Sequence, residues 1–509
     1  MAPPNPPPAL PAPSLEALLH QQARARPLAT ALRWIEPGQT APDPRWSHLS
    51  FAGLAQRTGA LAQGLARTHG VRAGDRVAWL GWNHPAQIAL LFALARLGAL
   101  LVPLNHRLSP AEWAAVLHDC GPKLLLHDTA LAEAARSLAH PATLHVDGLP
   151  TDPMAGDAAD QGCADHPVLL VYTSGTTGAP KGAVHTQGNL LANMAIAAQV
   201  QELSEHDTVL TVLPLFHVGG LCIQTLPALS VGAQVVLHSR FDASATLRSL
   251  RSERPTLTLQ VPATLQALTS HAEWPATDLA SLRAIWAGSS LLPAPLIEAC
   301  HARGVPVCNV YGSTETGPFS IALPPAHAAS HLGACGWPAP GVQVALRDPA
   351  GQPVGASQVG ELWLHGPNVA QRYWPDQPTC DAEGFFHSGD LAQQAGDGSF
   401  TVVGRAKDML ISGGENIYPA EIENLLAQHP CVVECAVVGQ DDPRWGEVVV
   451  AVVVLRDDAP EDWEASLQGL LEGRLARYKW PRRWHRVAAL PKTALGKVQK
   501  PAVKALLGN

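Results

Sequence analysis

Several things are missing from this 509-residue chain, and each absence removes a class of function. Its nine cysteines form no C-x-x-C pair and have no histidine partner at zinc spacing. Cys431 and Cys435 flank an apolar run and read as core residues, so reduced thiols and a cytoplasmic setting are expected. The 22 histidines are scattered, without H-x-H or H-E-x-x-H, which argues against a metal held by protein side chains alone. Charged residues make up only 15% of the chain and the net charge is −8, which disfavours general nucleic-acid binding. The longest apolar segment, about Ile88 to Val102, is broken by Arg96 and is too short for a bilayer, so no membrane span is expected. It reads instead as a buried helix running into a strand. The first residues, Met1-Ala-Pro-Pro-Asn-Pro-Pro-Pro, lack the basic and apolar regions of a signal peptide, and residues 1–13 read as a disordered Pro-rich leader. There are no internal repeats.

What remains is 47% apolar and long enough for at least two domains. Ser14 is a plausible N-cap for a first helix, and Phe51 to Ala66 has helical periodicity. Apolar runs at Arg76–Leu80, Val209–Leu213, Gln234–Leu237, Thr256–Val261 and Val307–Val310 alternate with helical patterns, as in α/β architecture with buried strands. After about Gly341 the pattern turns antiparallel, at Gly360–His365 and Ser399–Val403. A new unit follows Arg405: a helix at Pro419–Gln428, strands at Val432–Val438 and Val448–Leu455, and a helix at about Glu461–Arg477. The boundary is expected near 404–408, giving units of 14–404 and 405–509. From Leu471 onward ten Lys/Arg face one acid, Glu472; a solvated basic face and a cap over polyanionic ligands both stay open at this point.

The strongest chemical signal is Thr173-Ser174-Gly175-Thr176-Thr177-Gly178-Ala-Pro-Lys181-Gly, which follows the strand-like Pro167–Tyr172. Glycines admit a ligand close to backbone N–H groups, hydroxyls add donors and the lysine adds a mobile charge, so the loop suits oxyanions. Its spacing is not that of a Walker loop. Four more strings accompany it. Leu213-Pro-Leu-Phe-His217-Val218-Gly219-Gly220 ends a strand with an imidazole. Tyr311-Gly312-Ser313-Thr314-Glu315 offers an aromatic face, hydroxyls and a carboxylate at a strand end, where α/β folds bind ligands; Glu315 has the hard oxygen chemistry that suits magnesium. Phe386-His-Ser-Gly-Asp390 supplies a carboxylate fit for a ribose diol, or an Asx turn. Gly404-Arg405-Ala-Lys407-Asp408 leads into Gly413-Gly414, and Pro491 to Lys497 places a lysine after a glycine.

In order and spacing, from about Leu15 to Lys500, these strings resemble the adenylate-forming superfamily of acyl-CoA synthetases, adenylation domains and beetle luciferases. Within it the chain looks like an aryl- or medium-chain acid–CoA ligase. The resemblance implies an α/β fold: a large N-terminal domain of two αβ-layered subdomains plus a β-barrel-like third, and a small mobile α+β C-terminal domain. It implies ATP, Mg2+ and coenzyme A as the small molecules used, with a carboxylic acid as the second substrate. By resemblance, Thr173, Ser174, Gly175, Thr176, Thr177, Gly178 and Lys181 position the phosphates of ATP. Tyr311 stacks on adenine, with Gly288, Ser289, Ser290, Gly312 and Ser313 sharing the nucleotide site. Thr314 contacts the α-phosphate and Glu315 holds magnesium. Asp390 and Arg405 take the ribose, and Lys497 bridges carboxylate and α-phosphate.

The resemblance further implies that the C-terminal domain turns about Lys407 between the two half-reactions. That motion exchanges Lys497 for Gly413 and Gly414 beside the thiol channel, with Trp445 against CoA. His217, Val218, Gly219, Gly288 and Phe319 are expected to line the acyl pocket, so enlarging Gly288 or Gly219 is expected to narrow it. His217 stands where amino-acid-activating relatives carry Asp, which disfavours an α-amino acid. A carrier protein loaded in trans, an o-succinylbenzoate-type substrate and a non-catalytic nucleotide-binding protein are the alternatives. A homodimer is left open.

Overall fold

A computed structural model describes residues 6–35, 45–150, 162–173, 180–288, 292–355, 357–412, 415–442, 445–493 and 496–508. Among them, the β-structure forms four sheets. The first has nine strands and a parallel centre: Thr30–Ile35, Gln234–Leu237, Thr208–Thr211, Leu257–Gln260, Ala284–Gly288 and Val307–Tyr311 lie side by side. The second has eight strands, parallel through Leu124–His127, Arg76–Leu80, Leu100–Pro103 and Pro167–Thr173, then antiparallel through Lys181–Thr186 and Arg372–Tyr373. Helices pack on these sheets, as the apolar, strand-length runs require. The β-barrel-like third unit takes the form of a four-stranded antiparallel sheet, Gln343–Arg347, Val359–His365, Phe386–Gln394 and Phe400–Arg405.

That sheet ends at Arg405. One 3-10 turn, Ala406–Asp408, precedes a separate five-stranded sheet that begins at Leu410–Ser412. The cores are separate too: the largest apolar cluster runs from Ala12 to Phe400, while Leu410, Ile422, Val449, Ala451, Val453 and Leu467 belong to another. The last predicted helix is shorter than its apolar pattern. It covers Trp463–Leu471, because Glu472 leaves helical geometry and Gly473 takes a left-handed φ of 70°.

The segment Ile88–Val102 is a wholly buried helix, Pro85–Leu97, feeding the strand Leu100–Pro103. Arg96, its one charge, is 7% exposed and lies 2.9 Å from Glu16 of the first helix, which Ser14 caps as expected. A buried pair of this kind costs little as a pair and a great deal when halved. Replacing Arg96 with Met should therefore destabilise the fold by about 3 kcal/mol or more. The double change Arg96→Met with Glu16→Met should recover most of that loss in thermal melting. Equal losses in the single and double variants would contradict the pairing.

Candidate functional site

Strand ends from two of the sheets converge on one carboxylate. Asp390 lies in Phe386–Gln394 directly opposite Arg405, and Arg405 Nε approaches its Oδ1 at 2.8 Å. Tyr311, at the end of the nine-stranded sheet, donates its hydroxyl to Asp390 Oδ2 at 2.7 Å. Burial pushes the Asp390 carboxyl above its ordinary pKa, while the charge of Arg405, the Tyr311 hydrogen bond and the charge of Lys497 oppose that push. Burial and the adjacent carboxylate drive the Tyr311 phenol well above its usual value, so it stays protonated and donating. Both oxygens of Asp390 thus carry a donor, and the Tyr311 ring is locked in orientation.

The turn after Tyr311 is shaped by close backbone approach. A Cβ on Gly312 would lie 1.7 Å from the Pro318 carbonyl oxygen, so only glycine fits. Thr314–Thr316 then form one 3-10 turn, fixed by Ser313 N–H donating to Thr316 Oγ1 at 3.0 Å. His185 Nε2–H donates to the Thr314 carbonyl at 2.8 Å; burial lowers the pKa of this ring to about 4, so it is a neutral strut. Glu315 is 9% exposed and accepts from the Tyr373 hydroxyl at 2.8 Å. Lys181 Nζ sits 5.4 Å from the centroid of the same Tyr373 ring, a cation–π contact. Lys181 and Tyr373 meet because Lys181–Thr186 pairs with both Pro167–Thr173 and Arg372–Tyr373.

His217 caps the short helix that follows it, its Nδ1 accepting from Gly219 N–H at 3.0 Å. The neutral ring therefore carries its proton on Nε2. Burial first, then the positive charges of Lys497 and Arg107, lower its pKa to about 4. Lys497 comes from the C-terminal unit. It ends a tight turn in which Thr493 N–H donates to the Lys497 carbonyl at 2.7 Å and Gly496 takes a φ of 80°. Lys497 keeps solvent-exposed surface. Even so, surrounding protein and the charge of Arg405 lower its ammonium pKa, while Asp390 raises it. Among the described residues no group of three or more His, Cys, Asp or Glu could hold a metal alone. A lone buried carboxylate such as Glu315 does suit magnesium that arrives already bound to phosphates.

Thus Tyr311, Thr314, Glu315, Asp390, Arg405, Lys497, His217 and Lys181 are gathered into one region by these contacts and charges. Ser174, Gly175, Thr176, Thr177, Gly178, Ser289, Ser290, Gly413 and Gly414 lie outside the described residues. Trp445 immediately precedes Gly446, whose partner in the sheet is Ser412, and its ring carries Arg482 at 4.4 Å. Phe319 is fully buried 5.8 Å from Trp286, and Val218 is 1% exposed, so both stand in the core. A Cβ on Gly288 would meet the Val310 carbonyl at 2.8 Å, and one on Gly219 would meet His217 Nδ1 at 2.9 Å. Enlarging these glycines would strain a strand and displace the imidazole, beyond any narrowing of a slot.

Tyr373 and the neutral His185 went unread in the sequence, as did Trp82, His106 and Arg107 beside Phe216 and His217. The chain has five tyrosines, and three of them, Tyr172, Tyr311 and Tyr373, donate to the carboxylates of Asp119, Asp390 and Glu315.

Comparison with known proteins places the chain in a family. Residues 19–374 match the family model described as AMP-binding enzyme, and residues 421–497 match its C-terminal domain. An indoleacetate–CoA ligase of Aromatoleum aromaticum is 45% identical over 93% of this chain and 96% of its own length. A feruloyl-CoA synthase of Amycolatopsis is 43% identical over 96% of this chain and 98% of its own. Among solved structures, an o-succinylbenzoate CoA synthetase of Bacillus subtilis bound to its acyl-adenylate intermediate superposes with a TM-score of 0.85. It is 32% identical, over 97% of this chain and 98% of that one. The same enzyme has been solved with ATP and a magnesium ion. The chain therefore belongs to the AMP-binding enzyme family, among its adenylate-forming acyl-CoA ligases, which take ATP with magnesium and coenzyme A.

Proposed function

We propose that this ligase activates an aromatic carboxylic acid, and that Lys497 assists the first of its two half-reactions. The observation that carries the reading is the position of Lys497: it is presented by the C-terminal unit, yet its charge is felt by both Asp390 and His217 of the N-terminal unit. In the first step a carboxylate oxygen attacks the α-phosphorus of ATP, and the bond to the β-phosphate breaks with departure of pyrophosphate. Two anions must approach each other, and an ammonium between them lowers that cost most where negative charge accumulates. In the second step a thiol sulfur attacks the acyl carbon and AMP leaves.

The remaining roles follow the chemistry of the groups. Asp390 and Arg405 offer an acceptor and a donor for ribose hydroxyls, beside the flat face of Tyr311 for adenine. Lys181 and Glu315 belong to the pyrophosphate end, with magnesium entering as the ATP complex. Neutral His217, with Nδ1 tied to Gly219, presents only an Nε2–H donor and no base. Gly413, Gly414, Trp445 and the hinge at Lys407, between units 14–404 and 405–509, belong to the thioester step. The aromatic preference is supported by the relatives at 45% and 43% identity, whose names print indoleacetate and feruloyl-CoA. All nine cysteines are free thiols, which fits the reducing cytoplasm.

A panel of acids assayed for AMP release with and without CoA tests the reading, with aryl-acetic, aryl-propenoic, medium-chain and 2-succinylbenzoic acids as its arms. Highest kcat/KM for one of the aryl acids, dependent on CoA, is expected; preference for a medium-chain acid would overturn it.

Tyr373 supplies a second test. Tyr373→Phe removes one hydrogen bond to the Glu315 carboxylate and keeps the ring beneath Lys181. Hydrogen bonds to charged groups are worth about 1.5–3 kcal/mol, so ATP–pyrophosphate exchange should fall by about tenfold or more. The magnesium concentration for half-maximal exchange should rise as well. An unaltered magnesium dependence would remove Tyr373 from the site.

A further inference from the structure

The segment after His217 contains an irregularity that the activity described so far does not use. Leu221–Thr225 form a π-helical turn, with Leu226 N–H donating to the Leu221 carbonyl. Such turns are rare, and they redirect the side chains they carry. One of those is Gln224, which is 2% exposed. It lines a cavity of about 10 Å3 together with Thr211, Val212, Leu213, Gly220 and Leu259. Leu213 and Gly220 bracket His217 in the chain, so this cavity adjoins the acid-binding segment.

The orientation of the Gln224 amide follows from its neighbour. Gln201 Nε2 donates to two carbonyls, Ala197 at 3.2 Å and Ile223 at 2.8 Å, which leaves Gln201 Oε1 as an acceptor. The Gln224 atom 3.0 Å from that oxygen must then be the donor, Nε2. Its other atom, Oε1, is buried and without a hydrogen-bond partner. Buried amide oxygens are usually paired in folded chains, so this one calls for an explanation. The surrounding side chains offer no charge: Val212, Leu213 and Leu259 are apolar, and Thr211 Oγ1 pairs with Thr225 Oγ1 at 2.9 Å.

We propose that Gln224 is a specificity-determining residue: its Oε1 accepts a hydrogen bond from a neutral O–H or N–H donor at the end of the acid remote from the carboxylate. The proposal rests on the aromatic-acid reading above and names its substrate class, an aryl acid with a distal hydroxyl or N–H. Seven residues separate His217 from Gln224, a helical rise of roughly 10 Å, which suits a ring with a short acyl arm between them. A distal carboxylate would meet an acceptor with an acceptor, so the same atom selects against diacids.

The test compares 4-hydroxycinnamate with 4-methylcinnamate, in which a methyl group replaces the hydroxyl, by CoA-dependent AMP release. The natural chain should favour the hydroxyl acid by at least about tenfold in kcat/KM, because a site built around a hydrogen bond rejects the analogue that lacks it. Gln224→Met, of similar volume, should bring the ratio to about one. The ratio is read within each preparation, so a partly folded variant does not distort it. If Gln224→Met does not fold, the natural chain is tested again with 4-hydroxyphenylacetate against 4-methylphenylacetate. A ratio near one for both pairs in the natural chain, as when water alone satisfies Gln224, overturns the proposal, and so does an unchanged ratio in Gln224→Met. In either case both acids are still consumed and the aromatic-acid reading survives. Failure to activate any aryl acid would instead overturn that underlying reading.

Discussion

A buried carboxylate holds this structure together at its working end. Asp390 is 7% exposed, and the burial that raises its pKa is opposed by Arg405 at 2.8 Å and the Tyr311 hydroxyl at 2.7 Å. Each donor comes from a different place: Arg405 from the neighbouring strand of the four-stranded sheet, Tyr311 from the end of the nine-stranded sheet. Lys497 adds its field from the C-terminal unit. One negative charge therefore acts on two sheets that share the largest apolar cluster and on a third unit whose own cluster begins only at Leu410. The arrangement asks for charge balance, which a nucleotide with its own anions and hydroxyls would redistribute.

A second carboxylate repeats the device at the other end. Glu315 is also buried, and again a tyrosine hydroxyl donates to it, here from Tyr373. The Tyr373 ring carries Lys181, so Lys181 and the Glu315 carboxylate share one support. His217 differs in kind. Its low pKa and the Gly219 bond make it a fixed neutral donor rather than a titrating group.

Much of this was legible in the sequence, for identifiable reasons. Strands such as Arg76–Leu80 and Gln234–Leu237 are legible to the residue, because after one polar first residue each is a buried apolar run. The strings around Glu315 and Asp390 carry chemistry of their own, whereas Lys497 stands out only through the family resemblance. Arg96 looked like a flaw in an apolar run because its partner, Glu16, is 80 residues away. Tyr373 was invisible for the same reason: its importance lies in two contacts across the fold, and its local string, Arg-Tyr-Trp-Pro, carries no chemistry. Phe319 shows its surroundings only in the fold: it lies between the Thr314–Thr316 turn and the strand Ile321–Ala322, with its ring 5.8 Å from that of Trp286. The π-helical turn at Leu221–Thr225 has no sequence pattern that distinguishes it from an ordinary helix.

The central claim is that Lys497 serves adenylation alone, reaching the site from a unit that must move away for the thioester step. Separate assay of the two half-reactions in Lys497→Ala measures it most directly. The account predicts near-complete loss of acid-dependent ATP–pyrophosphate exchange, with thioester formation from supplied acyl-adenylate and CoA retained. Equal loss of both half-reactions would contradict it.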